Sequence, residues 1–195
     1  MTAPNNVHDD VIAAIGRTPL VRLNRLGRET GTTFYAKLEF MNPGHSVKDR
    51  IAIQMVLDAE ASGALKPGGT IIECTSGNTG MGLAMVAAVR GYRAILVMPD
   101  KVSTEKIKAL RAFGARVITT PTAVAPDDPR SYYSVAQRLH DEISNSFFAN
   151  QYHNQSNPTS HYRTTGPEIW EQLGEQVDAV VIATGTGGTL TGIGR

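Results

Sequence analysis

From residue 70 onward, short β-branched apolar runs alternate with stretches whose apolar positions recur at helical spacing. Residues 70–73 (TIIE) predict a buried strand, followed by a polar loop and a helix over 79–90 with Gly91 as its stop. Residues 93–98 (RAILVM) predict a second strand, ended by Pro99. Ser103 or Thr104 then caps a helix running to Phe113, with Gly114 after it. A third strand is expected at 116–119, then a Pro- and Asp-rich loop over 120–130 and a helix over 132–143. Residues 147–151, 166–173 and 177–183 read as strand, helix and strand. Strands separated by helices in this rhythm imply an α/β fold, with a parallel sheet covered on both faces.

The last strand leads into a glycine-rich turn at 185–189 and a helix from Leu190, of which Arg195 leaves about one and a half turns. A βαβ unit normally returns to the sheet, so a C-terminally truncated protein is expected. Composition changes this picture little. The 195 residues are 41% hydrophobic and carry a formal net charge of +1, so no overall field recruits nucleic acid or an anionic membrane. The longest apolar stretch, 83–89, is far short of the about 20 residues a membrane span needs. The N-terminus lacks the basic start and apolar core of a secretory signal. Cys74 is the single cysteine, which excludes an internal disulfide and a cysteine-based zinc cluster. A soluble, cytoplasmic protein is the expectation.

Three loops carry candidate chemistry. In the first, NPGHSVKDR (42–50), Asn-Pro-Gly is a turn signature and Ser46 is placed to cap a helix. Lys48 would then lie in the first helical turn, where the dipole disfavours a cation and a nucleophilic amine becomes available for imine chemistry. The plain alternative is a solvated lysine beside Asp49 and Arg50. In the second, TSGNTG (75–80), two glycines allow close backbone approach. Thr75, Ser76, Gly77 and Thr79 can grip a carboxylate, and the Asn78 amide can bond a polar cofactor group. The alternative is an ordinary capped βα turn. In the third, Gly185, Thr186, Gly187, Gly188 and Thr189 offer amides and hydroxyls to a phosphate. Leu190 stands where a dinucleotide fingerprint needs its third glycine, and no Walker lysine follows, so a monophosphate fits better than a pyrophosphate. No serine-hydrolase elbow or helical histidine pair competes. His153 and His161 read as surface or structural residues, and Cys74 as a buried structural thiol.

The order NPGHSVKDR, TSGNTG and GTGGT strongly resembles the β-family (fold type II) of pyridoxal-phosphate (PLP) enzymes, such as cysteine synthase and cystathionine β-synthase. GRTPLVRLNRL (16–26) and NQYHNQSNP (150–158) extend the likeness from about residue 11 to 195. PDKVSTEK (99–106) and PTAVAPDDPRSYYSVAQRL (121–139) resemble the bacterial cystathionine β-synthase branch more closely. The resemblance implies a tryptophan-synthase-β-like fold of two parallel-sheet, three-layer domains with PLP between them. The smaller domain would run over 47–145. The larger would comprise 1–46 and 146–195 and be incomplete.

It implies further that Lys48 carries PLP as an imine and moves the substrate α-proton, and that Asn78 bonds the cofactor 3′-hydroxyl. Gly185, Thr186, Gly187, Gly188 and Thr189 would hold its phosphate. Thr75, Ser76, Gly77, Thr79 and Gln151 would take the substrate carboxylate, and Tyr152 would lie near the cofactor with a part in substrate handling. The implied reaction is β-replacement on serine, with homocysteine as the thiol, in a homodimer; the alternatives are cysteine synthase, using O-acetylserine and sulfide, and an inactive fragment or scaffold. The family residue facing the pyridine nitrogen lies beyond the third loop and is absent here. The haem-binding extension of animal cystathionine β-synthases is absent too.

Overall fold

The computed structural model describes residues 7–195; residues 1–6, assigned above to the larger domain, lie outside the described residues. A short antiparallel ribbon, β1 (Leu20–Arg22) with β2 (Tyr35–Lys37), precedes the NPG turn. α1 (Lys48–Ala61) leads to β3 (Thr70–Cys74), α2 (Asn78–Arg90), β4 (Arg93–Pro99), α3 (Thr104–Ala112), β5 (Arg116–Thr120), α4 (Tyr132–Glu142) and β6 (Ser146–Phe148). The four long-range strands form one parallel sheet in the order β5-β4-β3-β6.

Side chains alternate across this sheet as the two-residue strand period requires. Ile71, Leu96 and Met98 pack with Ile51, Met55 and Leu83 on one face. Ile72, Ile95 and Val97 pack with Val135 and Ala136 on the other. Both faces are therefore dry, which is why β3 and β4 read as unbroken apolar runs. Gly82 lets α1 and α2 cross closely, since a Cβ there would sit 2.8 Å from the Ala52 methyl. Gly91 ends α2 at φ 74, a conformation that glycine adopts without steric cost. The side chains of Ser103 and Ser131 cap α3 and α4.

The remaining chain carries helices rather than a second sheet. α5 (Ser156–Ser160) runs into a π-helical turn (His161–Thr165), then α6 (Gly166–Gln172) and finally α7 (Gly188–Ile193). Three expectations need correction. Residues 177–183 do not form a strand: they are unpaired and without regular structure, with Val181 93% exposed, because no strand among the described residues lies alongside to complete a ladder. The strand expected at 147–151 is the shorter β6, and Gln151 falls in the following turn. The last helix starts at Gly188, two residues before Leu190. Among the described residues no helix is long and apolar enough to cross a membrane.

Candidate active site

Lys48 is the first residue of α1, and the chain before it is folded to place it there. The Ser46 hydroxyl accepts from the Lys48 N–H at 3.2 Å, so Ser46 caps the turn although Val47 is the formal cap residue. Asp49 reaches back and accepts the Gly44 N–H at 2.5 Å, fastening the Asn-Pro-Gly turn onto the helix. Burial raises the Asp49 carboxyl to about 6. Arg50, with its side chain 1% exposed, bridges Glu39 (2.8 Å) and Glu168 (2.7 Å), and so joins α1 to the ribbon side and to α6. Burial opposes the Glu168 charge, but Arg50, the Arg17 N–H and Lys37 outweigh it and hold that carboxyl at about 2. Asp49 and Arg50, which flank Lys48, are thus the fasteners of its loop.

A cleft of about 200 Å³ opens at the carboxyl ends of β3 and β4, where ligands of parallel sheets bind. Lys48, Asn78, Gln151, Tyr152 and Thr186 line it, together with Thr75, Ser76, Thr79 and Gly185. All three loops contribute to one wall, although up to 138 residues separate Lys48 from Thr186 (186 − 48). Burial lowers the Lys48 pKa, enlarging the neutral, nucleophilic fraction of its amine. Thr75 uses its oxygen internally, accepting from the Gly77 and Gly80 N–H groups at 3.1 and 3.4 Å. Thr79 donates to Gln151 Oε1 at 2.6 Å, tying the second loop to the turn after β6. Tyr152 is half exposed at the rim.

Gly77, Gly187, Gly188 and Thr189 are not themselves part of the cleft lining, although they adjoin residues that are. Gly77, at φ 150, packs beside the Lys106 side chain, whose Nζ would be 3.3 Å from an added Cβ. Lys106 itself lines the cleft and was not foreseen: a lysine three residues past a helix cap reads as surface. Asn157 and His161 were also missed as neighbours of the third loop; their contacts with it span 29 and 28 residues, beyond any local spacing rule. A wider groove of about 480 Å³ lies beside α4 and β6, lined by Tyr133, Gln137, Phe148 and His153, but it gathers no residue of the three loops.

Two buried groups near the cleft carry large shifts. Cys74 ends β3 with its thiol pushed up to about 12 by burial and by neighbouring Glu73, so it is an inert structural thiol, as expected. Glu73 is fully buried, and neither carboxyl oxygen has a partner within bonding geometry. Burial raises it to about 8, against the weaker pull of Gln151 and the Asn150 N–H, so its protonated form is favoured at pH 7.

The sequence is similar to a cystathionine beta-synthase of Apis mellifera, 55% identical over 188 residues, covering 95% of this chain and 37% of that protein. It is 52% identical to cysteine synthase 1 of Emericella nidulans over 180 residues, covering 92% of this chain and 48% of the other. The fold superposes on the crystal structure of O-ureido-L-serine synthase with a TM-score of 0.88 and 46% identity, covering 96% of this chain and 58% of that one. This chain therefore spans about a third to three-fifths of the length of these relatives. The profile of the family described as "Pyridoxal-phosphate dependent enzyme" matches residues 11–195. With that match across the chain, and its three loops meeting at one cleft beside a half-buried lysine, the chain belongs to the pyridoxal-phosphate dependent enzyme family.

Proposed function

We propose that the protein of which this chain forms part catalyses PLP-dependent β-replacement on L-serine, with homocysteine as the incoming thiol, as a cystathionine β-synthase. The observation that carries this reading is the convergence of Lys48, Asn78 and Thr186, one residue from each loop, on a single cleft. The residues present suit the cofactor. The Lys48 amine is shifted by burial toward its neutral form, and an added Cβ at Gly185 or Gly187 would meet nothing within 4 Å, which leaves room for a phosphate.

When bound, PLP accepts the charge left on the substrate α-carbon after proton loss. Lys48 would hold the cofactor and then carry that proton on its Nζ. Asn78 would bond the 3′-hydroxyl, and Gly185, Thr186, Gly187, Gly188 and Thr189 the phosphate. Thr75, Ser76, Gly77, Thr79 and Gln151 would orient the substrate carboxylate; the short Thr79–Gln151 bond supports their acting together. Tyr152 would shield the substrate from the rim. The reading places PLP between a smaller domain (47–145) and a larger one (1–46 and 146–195). A homodimeric, cytoplasmic enzyme of transsulfuration goes with it, supported by the resemblance alone.

A visible absorption scan with PLP tests the site: a band that disappears in Lys48→Ala and shifts on adding L-serine is expected. A band identical in Lys48→Ala sinks the assignment. Cysteine synthase is the second reading, favoured by the 52% identity to the Emericella nidulans protein. Turnover of serine plus homocysteine against O-acetylserine plus sulfide, in the whole protein, separates the two.

A further inference from the structure

The two threonine hydroxyls of the glycine-rich turn are each held by a side chain from one face of a neighbouring helix. Asn157 on α5 is 2% exposed, and His161, four residues later at the start of the π-helical turn, is fully buried. Positions i and i+4 share a helical face. Asn157 Nδ2 donates to the Gln151 carbonyl at 2.9 Å and to Thr186 Oγ1 at 3.0 Å. The carbonyl can only accept, which fixes the amide's orientation. Asn157 Oδ1 then faces Gly188, where an added Cβ would sit 1.9 Å away. Thr186 Oγ1 also accepts the Gly188 N–H at 3.4 Å. Both lone pairs of that oxygen are therefore used, and what it has left to offer is its proton.

His161 serves Thr189 in the same way. Its Nε2 lies 3.2 Å from Thr189 Oγ1 and its Nδ1 2.9 Å from Thr165 Oγ1. Burial, then the Lys48 and Arg50 charges, lower the ring to about 4 against a weaker opposing effect of Glu39, so it is neutral with one N–H. A phosphate oxygen only accepts. For Thr189 to donate to one, its oxygen must accept from Nε2–H, and Nδ1 must then accept from Thr165. All donors run one way, from Thr165 through His161 and Thr189 to the ligand. α7 can lie this close because Gly192 has no Cβ; one there would meet the Pro158 carbonyl at 2.3 Å and the His161 Cβ at 2.6 Å. π-turns recur at functional sites.

We propose that Asn157 and His161 are positioning residues that turn the Thr186 and Thr189 hydroxyl protons outward, building a site selective for a phosphate monoester over the unphosphorylated alcohol. This rests on the reading of residues 185–189 as the cofactor's phosphate loop. It assigns discrimination between PLP and pyridoxal to two side chains outside that loop.

The test compares Kd for PLP and for pyridoxal in the chain and its variants. His161→Leu is expected to weaken PLP about tenfold, the worth of one hydrogen bond to a charged group, and pyridoxal less than about twofold. Thr189→Val should do the same, and the double variant no more than either alone. His161→Gln, which keeps a donor near Nε2, should recover part of the loss. Equal losses for both ligands, or additive losses in the double variant, overturn the proposal. If the unsubstituted whole protein shows no Lys48-dependent band with either aldehyde, the cofactor reading fails. The ring tautomer then decides this proposal alone: ¹⁵N spectra with inorganic phosphate should show His161 as Nε2–H, and an Nδ1–H ring overturns it.

Discussion

The two glycine-rich loops face the same cleft but are held by opposite means. Residues 75–80 follow β3, the fully buried strand between β4 and β6, and brace themselves: the Thr75 oxygen accepts from Gly77 and Gly80 within the loop. Residues 185–189 follow an unpaired stretch, and their shape comes from Asn157, His161 and the close seat of Gly188 and Gly192 on α5 and the π turn. The first loop inherits its rigidity from a sheet, the second from a few side chains at a tight contact. Damage to α5, the π turn or α7 should therefore spread through the second loop and spare the first.

The largest effect should come from the fastener that joins the two regions. Arg50 links α1 to Glu39 and Glu168, and its O accepts from Ser160 on α5. Arg50→Ala strands two partly buried carboxylates, a loss of about 3–5 kcal/mol. Urea denaturation followed by hydrogen exchange should show α6 and α7 opening before the sheet. Simultaneous loss of the sheet amides would mean that the two regions are one cooperative unit. Replacing Arg50 by Met should also destabilise, since it too removes the guanidinium that both carboxylates share, leaving Glu168 only Lys37 as a charged partner.

Next in size is a pH effect confined to the sheet body. The folded value of Glu73, about 8, lies above its ordinary 4.5, so the folded state binds the extra proton between those limits. Its contribution is complete below about pH 4.5 and is lost as pH rises through 8. Glu73→Gln removes this titration. The variant should gain on the parent by up to about 1.4 kcal/mol per pH unit inside that window, read from denaturation at pH 5, 7 and 8.5. Asp49 and His161 titrate in both proteins and cancel in the difference. Parallel stability curves would show that Glu73 is charged in the fold.

Gly192→Ala probes the other side. The added methyl has no room against the Pro158 carbonyl and His161, so α7 must shift, at about 1–3 kcal/mol. Gly185→Ala, with nothing within 4 Å, should cost under about 0.5 kcal/mol. Exchange protection should fall at residues 186–193 in the first variant and persist across β3 and β4. Equal costs for the two variants would remove the tight seat from the explanation.

What could be read in advance follows the same division. The sheet body was legible because most of its strands are apolar runs and its helices carry local start or stop signals: Ser103 and Gly91 act where their types predict. These are local signals, as are the three loop motifs, and so the cleft's main residues were found. The strand expected at 177–183 failed because β-structure is a property of pairs. Its apolar residues state a preference, but the ladder needs a neighbour that no described strand supplies. Lys106, Asn157 and His161 escaped for a related reason. Their roles come from contacts made across the fold, and nothing in QSNP or TSHYR marks a side chain as the support of a loop nearly thirty residues away.

The smallest test acts on the sheet body outside both loops, and so measures how separable the regions are. Ser131 caps α4 by accepting the Ser134 N–H at 3.1 Å, and it donates to the Pro126 carbonyl at 2.7 Å. Ser131→Ala loses both bonds and should cost about 1 kcal/mol. α4 covers the face of the sheet formed by Ile72, Ile95 and Val97. The loss should therefore appear as faster exchange in α4 and β6. It should leave residues 186–193 unchanged, because their supports, Asn157 and His161, do not touch that face. If those residues also exchange faster, the second loop draws on the sheet through β6 and the turn carrying Gln151, whose carbonyl orients Asn157. The contrast between a sheet-held and a side-chain-held loop would then be one of degree, with Gln151 as the joint between them.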